Sequence, residues 1–211
     1  MKIHHFCFNP FQENSYILYD ESKECVLIDP GCYDSREQQI LSGFIAKEGL
    51  KPMRLLNTHC HIDHVFGNKF VADRYQLQLE IHAKDKTVLE SLLQVAKLYN
   101  LNAEASPEPS VFLEEGNKII FGNSELDIVF TPGHSPGSIC FISHKDKSVI
   151  GGDVLFLESI GRSDLPGGNQ EVLLESIRRK LFQLPDDYRV YPGHGQSTTI
   201  GHEKKHNPFL Q

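Results

Sequence analysis

One heptapeptide constrains this chain more than any other feature. Thr58-His59-Cys60-His61-Ile62-Asp63-His64 sets three imidazoles and a carboxylate side by side, directly after the apolar pair Leu55-Leu56. In an extended segment alternate side chains share a face, so His59 and His61 can aim at one cation while Cys60 turns to the other side and packs as core. A short helix after His61 would direct Asp63 and His64 at a second cation nearby. Imidazole nitrogen and carboxylate oxygen suit zinc, iron or manganese, and ligand type alone does not choose among them.

Partners for such a cluster are expected where other rigid elements stop. The apolar stretch ending at Phe130 runs into Thr131-Pro132-Gly133-His134, and Val190-Tyr191 runs into Pro192-Gly193-His194, so Pro-Gly-His occurs twice. Val149-Ile150 runs into Gly151-Gly152-Asp153. Glycine allows the tight backbone geometry of such turns and proline fixes φ, so both imidazoles are presented from stiff positions.

Apolar runs with strand character recur at Tyr16–Tyr19, Cys25–Ile28, Leu126–Phe130, Ile139–Ile142, Val149–Ile150 and Val190–Tyr191, which predicts a sheet-based core. Helical spacing is clearest after Asn169, where Leu173, Leu174, Ile177 and Leu181 share a face and Arg178, Arg179 and Lys180 suit the C-terminal dipole. Gln38–Lys47 and Val88–Leu98 are further expected helices. This mixture is α/β or α+β. Asn102–Ser110, with Pro107 and Pro109, reads as a loop because composition does not shift across it; a single domain over residues 1–211 is expected.

The set of residues resembles the metallo-β-lactamase superfamily, and within it the short glyoxalase II-like hydrolases. The resemblance runs from Asn14 through Ile28-Asp29-Pro30-Gly31 to the end of the chain. It implies an αββα sandwich, four layers with two mixed β-sheets, holding two divalent metal ions, zinc ahead of iron or manganese. By resemblance His59, His61 and His134 bind one metal, Asp63, His64 and His194 bind the other, and Asp153 bridges them. Asp29 is implied to orient ligands by hydrogen bonds. Arg162, in the turn-rich stretch Ser159–Gly168, is the expected substrate-binding residue, a guanidinium able to hold a carboxylate; an internal pair with Asp164 is its alternative. His4, His5, His82, His144, His202 and His206 carry no assignment.

The implied activity is a thioesterase of the glyoxalase II type, acting on S-lactoylglutathione or a similar small acyl thioester through a metal-bridging hydroxide, with Asp63 as the catalytic carboxylate. An iron-dependent persulfide dioxygenase of the same superfamily, using His59, His134 and Asp153, is the alternative. A non-enzymatic zinc-stabilised module fits less well, because structural zinc sites are commonly closed. A β-lactamase is a further, less expected member, since the resemblance implies no aspartate at the Asp153 position there. The formal charge of −7 disfavours nucleic acid and anionic membrane as partners, leaving a small-molecule thioester and an oligomeric state the sequence does not set. Five cysteines without a Cys-x-x-Cys pair, and no apolar run near the roughly 20 residues of a membrane span, point to a cytoplasmic protein.

Overall fold

Strands that are apolar on both faces need cover on both. The computed structural model, which describes residues 1–211, supplies it with two six-stranded sheets packed face to face and helices outside each. The first sheet is ordered β1 (Lys2–Phe8), β2 (Glu13–Tyr19), β3 (Glu24–Ile28), β4 (Lys51–Leu56), β5 (Leu79–Ile81), β6 (Val111–Phe112). Its first three strands are antiparallel neighbours, and β3 to β6 run parallel. The parallel connections carry α1 (Ser35–Glu48), the single-turn α2 (Ile62–Val65), α3 (Asn68–Tyr75), α4 (Lys86–Glu90) and α5 (Leu92–Leu98).

The second sheet contains β7 (Lys118–Phe121), β8 (Ser124–Phe130), β9 (Ile139–Ser143), β10 (Ser148–Gly152), β13 (Arg189–Pro192) and β14 (Thr198–Thr199), in the spatial order β14-β13-β10-β9-β8-β7. A small hairpin of β11 (Leu155–Phe156) and β12 (Ser159–Ile160) and the helix α6 (Gln170–Arg179) lie between β10 and β13 in the chain, and α7 (Ile200–His206) follows β14.

Period-two alternation sorts neighbouring residues into different cores. On β2, Tyr16 and Leu18 enter the core between the sheets, whereas Ile17 and Tyr19 pack outward against Leu41 and Ile45 of α1 and Val71 of α3. On β9, Ile139 and Phe141 meet the same central core, while Cys140 and Ile142 face Leu173 and Ile177 of α6. The architecture is an αββα sandwich with both sheets mixed.

Asn169 caps α6, its side chain accepting from Val172 N at 3.1 Å. The expected helix over Val88–Leu98 is instead two short helices broken at Ser91, whose hydroxyl donates to Val88 O at 2.7 Å and competes with the helical pattern. No helix is long and apolar enough to cross a membrane. All five cysteines are free thiols.

Strand direction fixes where function can sit. β9 is antiparallel to both β8 and β10, so those two run the same way, and β13 is parallel to β10. Their C-terminal ends therefore leave the sheet along one edge. The end of β4 joins them across the sandwich, Ile139 N donating to Thr58 O at 2.9 Å, and Asn14 N on β2 donates to Gly193 O at 2.7 Å.

Candidate metal centre

The four strand ends carry His59, His61, Asp63 and His64 after β4, His134 after β8, Asp153 after β10 and His194 after β13. Residues up to a hundred positions and more apart in sequence thus converge at the seam between the sheets. His59 Nε2 lies 3.1 Å from His134 Nε2, which lies 2.8 Å from His61 Nδ1. Beside this triad, His194 Nε2 is 3.0 Å from Asp63 Oδ2, and His64 Nε2 is 3.7 Å from the same oxygen. Asp153 lies between them: Oδ1 is 3.5 Å from His64 Nε2, and Oδ2 is 3.5 Å from both His134 Nε2 and His194 Nε2. A β-bulge between Ile150 and Gly152, with Gly152 at φ +49° against Thr58, re-aims the chain so that Asp153 points into this gap.

Hydrogen bonds on the far side of the rings fix which nitrogen faces inward. A carbonyl can only accept, so His134 donates from Nδ1 to Arg162 O at 2.7 Å and His194 donates from Nδ1 to Phe11 O at 3.1 Å. Thr58 Oγ1 spends its proton on Asp29 Oδ2 at 2.5 Å, so it accepts from His59 Nδ1 at 3.1 Å. The same Asp29 oxygen accepts from His64 Nδ1 at 3.2 Å. Asp29 also takes Thr58 N at 2.7 Å, and its φ of +49° is one an aspartate tolerates. Asp29 therefore orients two rings at once.

The donor set fits metal ions. The Nε2 lone pairs of His59 and His134 face one another, an arrangement that is repulsive without a cation between them. A tetrahedral ion about 2.0–2.1 Å from each nitrogen would hold them roughly 3.3 Å apart. His64 Nε2 and Asp153 Oδ1 are buried with no hydrogen-bond partner, a costly state that coordination would relieve. Electrostatics divides the centre in two. Burial, reinforced by the surrounding imidazoles, pushes His59 well below its ordinary range and His61 down to about 3, keeping their lone pairs free. Burial opposes charge on His64 and His194 too, but Asp63 and Asp153 beside them win and hold both above the ordinary range. That second pocket therefore demands positive charge.

The centre opens into a cleft of about 740 Å³. Val88, Leu92, Val95 and Tyr99 from α4, α5 and the residue after α5 make one apolar wall, Phe156 and Leu165 another, and Lys84 and Arg162 reach it as cations. The Arg162 guanidinium is engaged with Asp164, Nε to Oδ1 and Nη2 to Oδ2 both at 2.8 Å, while remaining more than half exposed. Lys84 lies 4.8 Å over the Phe130 ring. Cys60, buried as expected, touches the cleft floor.

Sequence reasoning missed two groups that support the site. Asn14 Nδ2 donates to Pro192 O and Gly195 O, both at 3.0 Å, and holds the His194 turn from the other sheet. Asp85 is fully buried and contacts two of the three histidine loops, at Cys60 and at Ser135. Asp85 follows β5, whose three residues are too short for a legible apolar run.

A model of the metallo-β-lactamase superfamily matches residues 8–194. The chain belongs to that superfamily. Among its relatives in the superfamily, the hydroxyacylglutathione hydrolase GloC of Haemophilus influenzae is 39% identical, covering 95% of this chain and 93% of that protein. The probable metallo-hydrolase YqgX of Bacillus subtilis is 36% identical, covering 100% and 98%. Three solved structures share the superfamily fold. BLEG-1, a B3 metallo-β-lactamase, superposes with a TM-score of 0.91 at 35% identity and full coverage of both chains. TTHA1623 in a di-iron-bound form gives 0.89 at 37%, covering 98% of this chain and all of that one. ETHE1 from Myxococcus xanthus gives 0.79 at 28%, covering 99% and 84%. The chain thus belongs to a superfamily of metallo-hydrolases, its donor set suits divalent metal ions, and TTHA1623 is a relative with a di-iron-bound form.

Proposed function

We propose that this protein is a thioester hydrolase of the glyoxalase II type, holding one metal ion on His59, His61 and His134 and a second on Asp63, His64 and His194, with Asp153 shared. The observation that carries this reading is the pair of facing donor sets joined by one carboxylate and opening into a cleft. A structural zinc site has no need of that access. Metal ions bound there supply a Lewis acid for the carbonyl and a water acidified enough to attack near neutral pH.

The residues of the chain do the rest. Asp63 faces the cleft; burial raises its pKa, but His64 and His194 outweigh this and keep it ionised, below the usual carboxylate range. It can therefore accept a hydrogen bond from the attacking water and orient it. Attack forms a C–O bond, the returning carbonyl electrons break the C–S bond, and the products are a carboxylate and a thiol. No serine or cysteine nucleophile faces the reacting centre as one half of a nucleophile–base pair, so no acyl-enzyme forms. The apolar wall of Val88, Leu92 and Val95 suits the hydrocarbon of an acyl or thiol group. Lys84 and Arg162 suit a carboxylate on the thiol carrier, Lys84 more directly because Asp164 occupies Arg162.

The likeness to GloC supports a glutathione thioester, and the likeness to BLEG-1 makes a β-lactam amide the other carbonyl to test. The persulfide dioxygenase reading needs only His59, His134 and Asp153 and leaves Asp63, His64 and His194 without a role. The deciding assay measures turnover of S-lactoylglutathione, nitrocefin and glutathione persulfide by the metal-loaded protein. Thioester turnover exceeding both others by at least tenfold supports the proposal; oxygen-dependent sulfite production overturns it.

A further inference from the structure

Asp85 sits where a helix cap is expected and does not cap its helix. It immediately precedes α4, the position at which aspartate ordinarily accepts from the second or third helical N–H. Its side chain makes no such bond. The carboxylate turns inward instead. Oδ2 accepts from Cys60 N at 2.7 Å, and Oδ1 accepts from Ser135 Oγ at 2.6 Å and Gly137 N at 2.5 Å. Cys60 lies between His59 and His61, and Ser135 directly follows His134. One fully buried carboxylate thus ties together the two loops, one from each sheet, that carry the histidine triad. The approach is so close that a Cβ on Gly137 would lie 2.6 to 2.8 Å from Asp85 atoms, which explains a glycine there. None of the three contacts reaches the loop of His194, and Asp63 and His64 sit beyond Cys60 in α2.

We infer that Asp85 is a positioning residue that sets the span between His59–His61 and His134, and so governs the affinity of the first metal without governing that of the second. The inference rests on the proposal that the first triad holds a metal. Hydrogen-bonded supports of metal ligands typically contribute tenfold to 100-fold in affinity, and an asymmetric effect of that size is expected here.

The test uses two backgrounds, each keeping one site, and titrates zinc against a chromophoric chelator. In Asp63→Ala protein, which retains the His59–His61–His134 site, adding Asp85→Asn should weaken zinc binding by tenfold to 100-fold. In His61→Ala protein, which retains the other site, the same change should alter affinity by less than threefold. Ser135→Ala, which removes one contact and leaves the carboxylate in place, should weaken the first site in the same direction by a smaller factor, and it serves as the probe if Asp85→Asn does not fold. Equal losses in both backgrounds, or no loss in the first, would overturn the inference. If Asp63→Ala protein binds no zinc at all, the triad itself has been misread, a result distinct from failure of the Asp85 inference.

Discussion

His134 donates its Nδ1 proton to the main-chain carbonyl of Arg162, 2.7 Å away. The residue whose guanidinium stands on the rim of the cleft thus also fixes a ring at its floor, through an atom no side-chain substitution removes. Arg162→Ala should therefore spare the metal centre and act on binding: KM for an anionic thioester rises about threefold to tenfold and kcat changes by less than twofold. Steady-state kinetics with metal content measured alongside checks this. Because Asp164 competes for the guanidinium, Asp164→Asn should lower KM; an unchanged KM in both variants would assign Arg162 to an internal pair alone.

Lys84 is the cleft cation without a carboxylate partner in the structure. Lys84→Ala should raise KM for a carboxylate-bearing thioester more than Arg162→Ala does, and leave KM for an uncharged acyl thioester within twofold. Equal effects on charged and uncharged substrates would remove Lys84 from substrate recognition.

Metal content should follow the division of the centre. Wild-type protein is expected to hold two ions per chain and Asp63→Ala one, by elemental analysis of dialysed samples. Retention of two ions by the variant would displace Asp63 from the ligand set.

The two sites should also differ in proton release. His64 and His194 are held above their ordinary pKa by Asp63 and Asp153 despite burial, so without metal they hold their protons to higher pH than ordinary imidazoles do, and a metal must expel what they hold. His59 and His61 are already neutral there. Titration calorimetry at pH 7 in buffers of different ionisation enthalpy should give more protons released for the site retained in His61→Ala protein than for that in Asp63→Ala protein. The depressed pKa of His61 has a second effect. The unfolded chain binds a proton near pH 6.5 that the fold refuses until about 3, so this contribution to metal-free stability is intact above pH 6.5 and falls away as pH drops toward 3. Urea unfolding of the chelated protein across that range measures it.

Two glycines should respond to alanine with opposite signs. Gly133, at φ +130° with a would-be Cβ against the Leu173 backbone, precedes His134; Gly133→Ala should cost about 1–3 kcal/mol and weaken the first metal. Gly43 lies inside α1 with nothing within 4 Å of its would-be Cβ, and Gly43→Ala should stabilise by about 0.5–1 kcal/mol. Chemical denaturation of both variants decides.

The sequence was most legible where chemistry and periodicity coincide. The His59–His64 run and the two Pro-Gly-His turns stand out because several ligands share a short stretch, and the apolar runs of β2, β3 and β9 show strands through both buried faces. β5 and β6 were not legible, since three and two residues are too few to show a period. Asp85 was hidden for the same reason and because its partners lie 25 and 50 residues away. The break at Ser91 depends on one hydroxyl turning back on its own helix, a choice that spacing of apolar residues does not record.

The walls of the cleft and its floor come from different stretches of chain. Lys84–Tyr99 and Phe156–Gly167 line the space above the centre, yet none of the converging histidines or aspartates lies in either. Such a division makes the molecule modular in an evolutionary sense: either wall could be exchanged between relatives, redrawing the shape offered to a substrate, while the ligand geometry is inherited unchanged. Asp85 and the Arg162 carbonyl mark the limit of that freedom, as wall-side groups whose hold on the histidine loops a graft must reproduce.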